Sequence, residues 1–205
     1  MSDKMDEKVA VLPRALFEGF NFPGITSRPQ DMNQFYLLMQ QVAFKRRGDV
    51  EEDESWLQVI PYMYVYDKDR DIVFTYRRSV KSGEKRLHGK TSIGIGGHIN
   101  LKDCFSGKLA LLGTAAYREL HEEIVFTPPY VPEHLNMCPV GLMLLDTSPV
   151  DRVHLGVVIR VEYIGVVTPN DEEIEDYQWI PREGLLEFEL ENWSRVVAEY
   201  LQKNK

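Results

Sequence analysis

The sequence predicts an α+β fold, on three observations. Two apolar runs separated by a turn begin after residue 56 and are typical of a β-hairpin. A single helix with one apolar and one carboxylate face follows, around Arg118. Two further aliphatic strands and an amphipathic C-terminal segment come after it. Strands, one helix, strands and then helices predict a mixed sheet packed between helices.

The segment before the hairpin is predicted to hold short extended pieces and one helix. Val9–Leu12 and Ala15–Phe20 are short apolar runs interrupted by a proline. Asp31 is a candidate N-cap for a helix over Met32–Phe44, which carries an apolar stripe. Residues 45–55 are charged with mixed sign, which is typical of a solvated loop.

The strands of the predicted sheet are β-branched, aliphatic or aromatic runs. Val59–Tyr66 and Ile72–Arg77 form the hairpin, and Thr91–Gly97 is a strand that ends in two glycines. Pro139–Asp146 and Arg152–Tyr163 are two more strands, which we expect to be antiparallel neighbours.

The remaining segments are a helix stop, an acidic loop and a helical tail. The prolines at 128–129 are predicted to end the carboxylate helix. Thr168–Asp176 is an acidic loop, and residues 182–205 are predicted to form one or two amphipathic helices. His154 alternates with apolar positions in the last strand, and both a structural role and a place in a cleft stay open for it.

Composition and charge limit the function classes. The chain has 205 residues, 43% hydrophobic and 27% charged, which is an ordinary globular composition. A net charge of −8 argues against unaided nucleic-acid binding. No apolar run approaches the length of a membrane span, and the charged N-terminus lacks the apolar core of a signal peptide. Two cysteines do not make a disulfide framework, so we expect a reduced, cytoplasmic setting. Because no apolar run is long enough to span a membrane, we expect no membrane contact.

Three carboxylates are predicted to lie on one side of the helix. Glu119, Glu122 and Glu123 stand at i, i+3 and i+4, about one turn apart. Like charges at this spacing repel by roughly 0.2–0.5 kcal/mol per pair, and a bound divalent cation would relieve the repulsion. A solvated acidic face is the competing interpretation. Arg118 directly before Glu119, and the Gly96–Gly97 pair after an apolar strand, favour a ligand site.

The string from Gly96 to Phe126 is GGHINLKDCFSGKLALLGTAAYRELHEEIVF. It resembles the signature of the Nudix hydrolase family, G-x5-E-x7-R-E-U-x-E-E-x-G-U, in which U is an apolar residue. Gly97 matches the first glycine, and residues 118–123 match the R-E-U-x-E-E core in full. The sequence departs from the signature in three places: Asp103 replaces the first Glu, the spacer after it is longer by a loop, and Val125 replaces the last Gly.

The resemblance extends loosely over residues 58–190 and implies an α/β/α sandwich with a mixed central sheet. It also implies Mg²⁺ or Mn²⁺ as the cofactor. The residues implied as metal ligands are Glu122, Glu123, the backbone carbonyl of Gly96, Glu119 and, from the acidic loop, Glu173, with Glu172 and Glu175 as alternatives to Glu173.

The other residues of the signature are assigned to catalysis and support. Glu119 is implied as a base or a metal ligand, and the sequence leaves the two roles open. Arg118 is expected to hold Glu119 through a charge-assisted hydrogen bond. Gly97 and Asp103 are assigned supporting roles around the ligands.

A basic stretch at residues 77–90 is unusual in an acidic chain. Arg and Lys recognise phosphoryl oxygens, so Arg77, Arg78 and Arg86 are candidates for binding substrate phosphate, together with His98. A solvated loop is the alternative for the stretch, and a structural role is the alternative for the histidine.

The function implied by the resemblance is hydrolysis of a diphosphate bond by water attack at phosphorus. The partner would be a small molecule of the type nucleoside diphosphate linked to a second group. Residues 56–205 would form the catalytic domain, and residues 1–55 an elaboration that packs on it or builds a homodimer contact. An isomerase of the isopentenyl-diphosphate type is one alternative, but it needs a catalytic cysteine, and Cys104 and Cys138 are not evidently placed for that role. A non-catalytic nucleotide-binding module is the other, and it would not require the complete R-E-x-x-E-E core.

Overall fold

The computed structural model describes residues 4–78, 89–107, 110–127, 135–170 and 174–204. Its strands are β1 (Lys8–Pro13), β2 (Gly24–Thr26), β3 (Ala43–Arg46), β4 (Trp56–Asp67), β5 (Ile72–Arg78), β6 (Thr91–Ser92), β7 (Ile95–Gly96), β8 (Ile124–Thr127), β9 (Asn136–Leu144), β10 (His154–Glu162), β11 (Val166–Pro169) and β12 (Ile174–Pro181). Its α-helices are α1 (Pro29–Met39), α2 (Arg47–Val50), α3 (Leu111–Glu123), α4 (Pro149–Arg152) and α5 (Asn192–Lys203).

The chain divides into two compact units. The first unit consists of Met1–Tyr62, Gly96–Arg118 and Val140–Val158, and the second of Met63–Ile95, Glu119–Pro139 and Ile159–Lys205. Residues 1–55 therefore lie in the first unit together with later parts of the chain.

The first unit is built around the N-terminal strand. β1 pairs antiparallel with both β3 and the start of β4, and β2 pairs antiparallel with β9. Val9 and Val11 of β1 are fully buried, as is Val50 at the end of α2, and these three form a small apolar cluster. The extended piece predicted at the N-terminus is thus confirmed as a paired strand.

The second unit contains the predicted hairpin. β5 lies between β12 and β4 and runs antiparallel to both. β8 and β11 form a separate antiparallel pair. The tail ends in the amphipathic helix α5, which buries Val197, Ala198 and Leu201. A 3₁₀ segment, Arg182–Glu187, precedes it.

The direction of β10 makes the sheet mixed. In the first unit the N–H of Gln58 donates to the carbonyl of Val153, at 2.8 Å. In the second unit the N–H of Tyr163 donates to the carbonyl of Tyr66, at 3.1 Å. Residue numbers rise together along β4 and β10, so these neighbours are parallel, whereas β4 and β5 are antiparallel. The prediction of a mixed sheet is confirmed.

Three predicted elements before the hairpin differ from the structure. The helix placed at Met32–Phe44 is α1, which begins earlier, at Pro29, because proline is favoured in the first turn of a helix. Its predicted last residues, with part of the predicted charged loop, form β3, since their backbone pairs with β1. The piece predicted as extended at Ala15–Phe20 overlaps a 3₁₀ segment, Arg14–Phe17.

Asp31 lies within the first turn of α1 rather than at its N-cap. Its side chain is buried, and it accepts hydrogen bonds from the Arg28 guanidinium, at 2.9 Å, and from the Thr26 hydroxyl. The hydrogen bond from Arg28 is the main cause that lowers the pKa of Asp31, and it outweighs the opposing effect of burial. The carboxylate therefore joins the end of β2 to the start of α1.

Two predictions about composition can be compared with the structure. Cys104 and Cys138 are both free, so no disulfide links them. Within the described ranges, no helix combines the length and the apolar character needed to cross a membrane.

Candidate functional site

The helix α3 carries the carboxylates singled out in the sequence. Ala115, Ala116 and Leu120 are fully buried, so the apolar face of the helix packs into the protein interior. Glu119 and Glu123 are half-buried and Glu122 is exposed. All three lie in the last turns of α3, at the helical spacing predicted from the sequence.

The end of α3 differs from the prediction. The helix stops at Glu123, and the chain passes directly into β8, before the prolines that were expected to end it. Residues Ile124–Thr127 are mostly β-branched, and their backbone pairs with β11, which favours the strand over further helix. Val125 stands in this strand, where the family signature has a glycine.

Asn170 caps the C-terminus of α3. Its backbone N–H donates to the carbonyl of Glu123 at 2.8 Å. Its side-chain Nδ2 donates to the carbonyls of His121 and Glu122, each at 3.3 Å. The last carbonyls of a helix have no partner within the helix, and Asn170 satisfies three of them. Asn170 was not predicted from the sequence, because nothing in an acidic loop indicates which helix end it will meet.

Arg118 is anchored by Asp103. The guanidinium Nε donates to Oδ1 of Asp103 at 2.8 Å, and Nη2 donates to Oδ2 at 2.9 Å. Nη2 also donates to the backbone carbonyl of His98, at 3.0 Å. These contacts join α3 to the loop that follows the two glycines. The contacts of Arg118 with Asp103 and His98 hold the start of the signature. The hydrogen bond expected from Arg118 to Glu119 stays a prediction.

The Asp103 side chain is only 2% exposed. Burial alone would raise the pKa of Asp103, but hydrogen bonds from Arg118 and from the backbone N–H of Asn100 lower it below its usual value. Asp103 is therefore a carboxylate at neutral pH. The residue closes a capping box with Asn100 at the start of a 3₁₀ segment, Leu101–Ser106. It thus supports the loop and the helix together, although the spacer between Asp103 and Arg118 is longer than in the family signature.

Gly96 ends the short strand β7, which pairs with β4. A Cβ atom added at this residue would lie 2.6 Å from the backbone oxygen of Pro61, closer than real Cβ contacts. The neighbour is backbone and cannot turn away, so the position requires glycine. Gly97 follows it and is half-buried.

Two known proteins match nearly the whole chain. The chain is 32% identical over 210 residues to protein YmaB of Bacillus subtilis (strain 168), covering 97% of this chain and 99% of YmaB. The crystal structure of Tm1382, assigned as a Nudix hydrolase, superposes with a TM-score of 0.76 at 27% identity. That match covers 96% of this chain and 99% of Tm1382. The chain belongs to the Nudix hydrolase family. No protein-family model matches it. The α/β/α fold implied by the sequence signature is confirmed.

The donor atoms of this Nudix protein suit a hard divalent cation. Carboxylate oxygens of Glu119, Glu122 and Glu123, and a backbone carbonyl such as that of Gly96, are the ligand types that Mg²⁺ and Mn²⁺ prefer. The close packing of Gly96 on β4 fixes the backbone whose carbonyl the signature assigns to the metal. The residues present therefore fit the cofactor that the family implies.

The structure describes only some of the residues that were predicted to bind phosphate. Arg77 lies on β5 with a half-exposed side chain, and its guanidinium donates to Asp176 at 3.5 Å and to the carbonyl of Gly89 at 3.3 Å. Arg78 ends β5, but its side chain lies outside the described part of the structure. Arg86, Glu172 and Glu173 also lie outside the described residues, and Glu175 is described by its backbone in β12 alone. Phosphate binding by this stretch stays a prediction.

His98 lies in a cluster that the sequence did not predict. One ligand atom each of Glu51, His98 and His154 lie within 4.8 Å of one another. Burial, followed by the charges of His154, Arg47 and Lys4, lowers the pKa of His98 well below its usual value. Glu51 precedes β4, His98 follows the glycines and His154 starts β10, so only the fold brings them together. The alternation of His154 with apolar residues was the one signal present in the sequence.

Proposed function

We propose that this Nudix protein is a Mg²⁺- or Mn²⁺-dependent hydrolase that cleaves the diphosphate bond of a nucleoside-diphosphate-linked small molecule. The observation that carries the proposal is the complete R-E-x-x-E-E core at the end of α3, with three carboxylates in its last turns. Acidic side chains at this spacing repel each other by roughly 0.2–0.5 kcal/mol per pair, and a bound divalent cation would relieve that repulsion.

Hydrogen bonds hold the end of α3 that carries the carboxylates, both just before the first carboxylate and at the last carbonyls of the helix. Arg118, immediately before the first carboxylate, bonds the buried Asp103. Asn170 bonds the backbone carbonyls of residues 121–123. A rigid backbone supports the proposal, because metal ligands must keep their geometry within fractions of an ångström.

The roles of the individual residues follow from their chemistry. Glu122 and Glu123 hold the cation, with the carbonyl of Gly96 and Glu173 as further predicted ligands. A bound divalent cation neutralises phosphoryl oxygens and lowers the pKa of a coordinated water molecule. Glu119 either completes the ligand set or accepts the proton of the attacking water. Arg118 is a positioning residue, which keeps α3 in place through Asp103 and so orients Glu119.

The test is phosphate release from a panel of diphosphate compounds. The panel contains nucleotide sugars, dinucleoside polyphosphates, NADH, ADP-ribose and nucleoside triphosphates, each with Mg²⁺, with Mn²⁺ or with chelator. Monophosphate products are followed with added phosphatase. We expect release from one class of compound, which chelator abolishes.

The matched variants are Glu122→Gln and Glu187→Gln. Both change an exposed glutamate to its isosteric amide, but Glu187 lies outside the signature. Glu122→Gln should lower kcat at least about a hundredfold, the scale of removing one essential charged group, and Glu187→Gln should not. Equal activity of the two variants would refute the assignment. Metal binding without turnover of any compound would favour the binding module instead.

A further inference from the structure

Glu51, His98 and His154 form a compact group of possible ligands within the first unit. Their ligand atoms all lie within 4.8 Å of one another. His154 is 6% exposed, and the other two side chains are partly buried. None of the three belongs to the carboxylates of α3, so the function proposed above does not use this group.

The tautomer of His154 is set by a backbone contact. Its Nδ1 lies 2.7 Å from the carbonyl oxygen of Val150. A carbonyl oxygen can only accept, so Nδ1 carries the proton and donates it. In the neutral ring, Nε2 then bears a lone pair directed at the cluster. A backbone carbonyl that holds the second nitrogen in this way is typical of histidines that bind metals.

The separation of the two imidazoles suits a shared ion. Nε2 of His154 lies 3.3 Å from Nε2 of His98, and the ring planes are inclined at 70°. Two nitrogens about 2.0–2.1 Å from one tetrahedral Zn²⁺ are roughly 3.3–3.4 Å apart. A hydrogen bond from Nε2 of His98 to Nε2 of His154 at this distance is the alternative.

Glu51 supplies the negative charge. Its Oε2 accepts hydrogen bonds from Nε of Arg47, at 3.1 Å, and from Nε2 of Gln58, at 3.4 Å. Oε1 accepts a longer hydrogen bond from Nη2 of Arg47, at 3.5 Å. Arg47 competes for the carboxylate and also orients it.

Gln58 adds an independent observation beside this carboxylate. The residue is fully buried, and its Oε1 accepts no hydrogen bond from any described residue. A buried amide oxygen normally has a donor. A water molecule bound to an ion beside Glu51 would provide that donor.

We propose that Glu51, His98 and His154 bind a transition-metal ion of the Zn²⁺ type, at a site separate from the carboxylates of α3. Two imidazoles and one carboxylate are ligands suited to Zn²⁺ and similar ions, whereas Mg²⁺ prefers oxygen ligands alone. Three protein ligands leave a fourth position for water.

The experiment is Zn²⁺ titration of the full chain by calorimetry after treatment with chelator. The cysteines are alkylated first, since thiolates also bind Zn²⁺, and excess Mg²⁺ occupies oxygen-only sites. We expect one Zn²⁺ per chain. His154→Gln and Glu51→Gln should weaken binding at least about tenfold, whereas His121→Gln, a histidine outside the cluster, should not.

Absence of stoichiometric Zn²⁺ binding by the wild type would overturn the site. Equal affinity in His154→Gln, Glu51→Gln and the wild type would also overturn it. If circular dichroism shows that these variants do not fold, ring nitrogen NMR of the wild type decides. Zn²⁺ should then shift the resonances of two of the five histidines, and a spectrum in which no pair responds overturns the site. Neither measurement depends on hydrolase activity, so the site and the proposed function succeed or fail separately.

Discussion

Removing one partner of the buried ion pair between Asp103 and Arg118 should strongly destabilise the protein. We consider Asp103→Asn, which keeps the shape of the side chain and removes its charge. The carboxylate is 2% exposed and the Arg118 side chain 17% exposed. The change disrupts two charge-assisted bonds, at 2.8 and 2.9 Å.

The magnitude follows from the burial of the pair. Removing one partner of a fully buried ion pair costs about 3–5 kcal/mol. Arg118 keeps some access to water and its bond to the carbonyl of His98, so we expect the low end, about 3 kcal/mol. That loss corresponds to a roughly hundredfold change in the unfolding equilibrium. For a chain of this size it lowers the Tm by about 6–12 °C.

The assay is urea unfolding followed by circular dichroism, with Asp49→Asn as the matched control. Asp49 also pairs with an arginine, Arg46, at 3.1 Å, but the two side chains are 64% and 47% exposed. Exposed pairs contribute about 0–1 kcal/mol, so the control should change little. If Asp103→Asn and Asp49→Asn destabilise the protein equally, the reasoning from burial is refuted.

Three further predictions concern the backbone, the acid limb of stability and the helix cap. Gly96→Ala places a Cβ 2.6 Å from the backbone oxygen of Pro61 and should lower the free energy of unfolding by about 1–3 kcal/mol, measured by thermal unfolding. The control is Gly113→Ala on α3, where the added Cβ meets open space. It should raise the free energy of unfolding by up to about 1 kcal/mol. The pKa of Asp31 is lowered in the folded protein, so its stabilising effect is complete above the unfolded value of about 3.9 and is lost as the pH falls through the folded value. Asp31→Asn should therefore flatten the fall in stability below about pH 4, and an unchanged acid limb would contradict this. Asn170→Asp removes the Nδ2 donors and places a negative charge at the C-terminus of α3. It should therefore lower the free energy of unfolding by about 0.5–1 kcal/mol, measured by urea unfolding. An unchanged urea midpoint would contradict the capping role of Asn170.

Much of the fold was predictable because local residue patterns specify it. The hairpin of β4 and β5 and the strands β9 and β10 follow from continuous apolar, β-branched or aromatic runs, and the helix α5 follows from an amphipathic pattern. The errors lie at boundaries where long-range pairing competes with local preference. Residues 43–46 extend a helical pattern in the sequence but pair with β1, and Ile124–Thr127 follow α3 but pair with β11.

The candidate site also has one part that the sequence specifies and another that only the tertiary structure specifies. The sequence by itself determined the spacing of Glu119, Glu122 and Glu123, because a helix places residues three and four apart on one side wherever it lies. Only the tertiary structure decided that Arg118 bonds Asp103, since the spacer between them has no fixed length.

Contacts between distant segments were decided by the fold alone. Asn170 meets the end of α3 because β11 pairs with β8, a pairing of segments about forty residues apart. Glu51, His98 and His154 come from three separate segments, and no spacing in the sequence relates them. A helical pattern is a property of neighbouring residues, whereas a site built from distant segments exists only after the strands have paired.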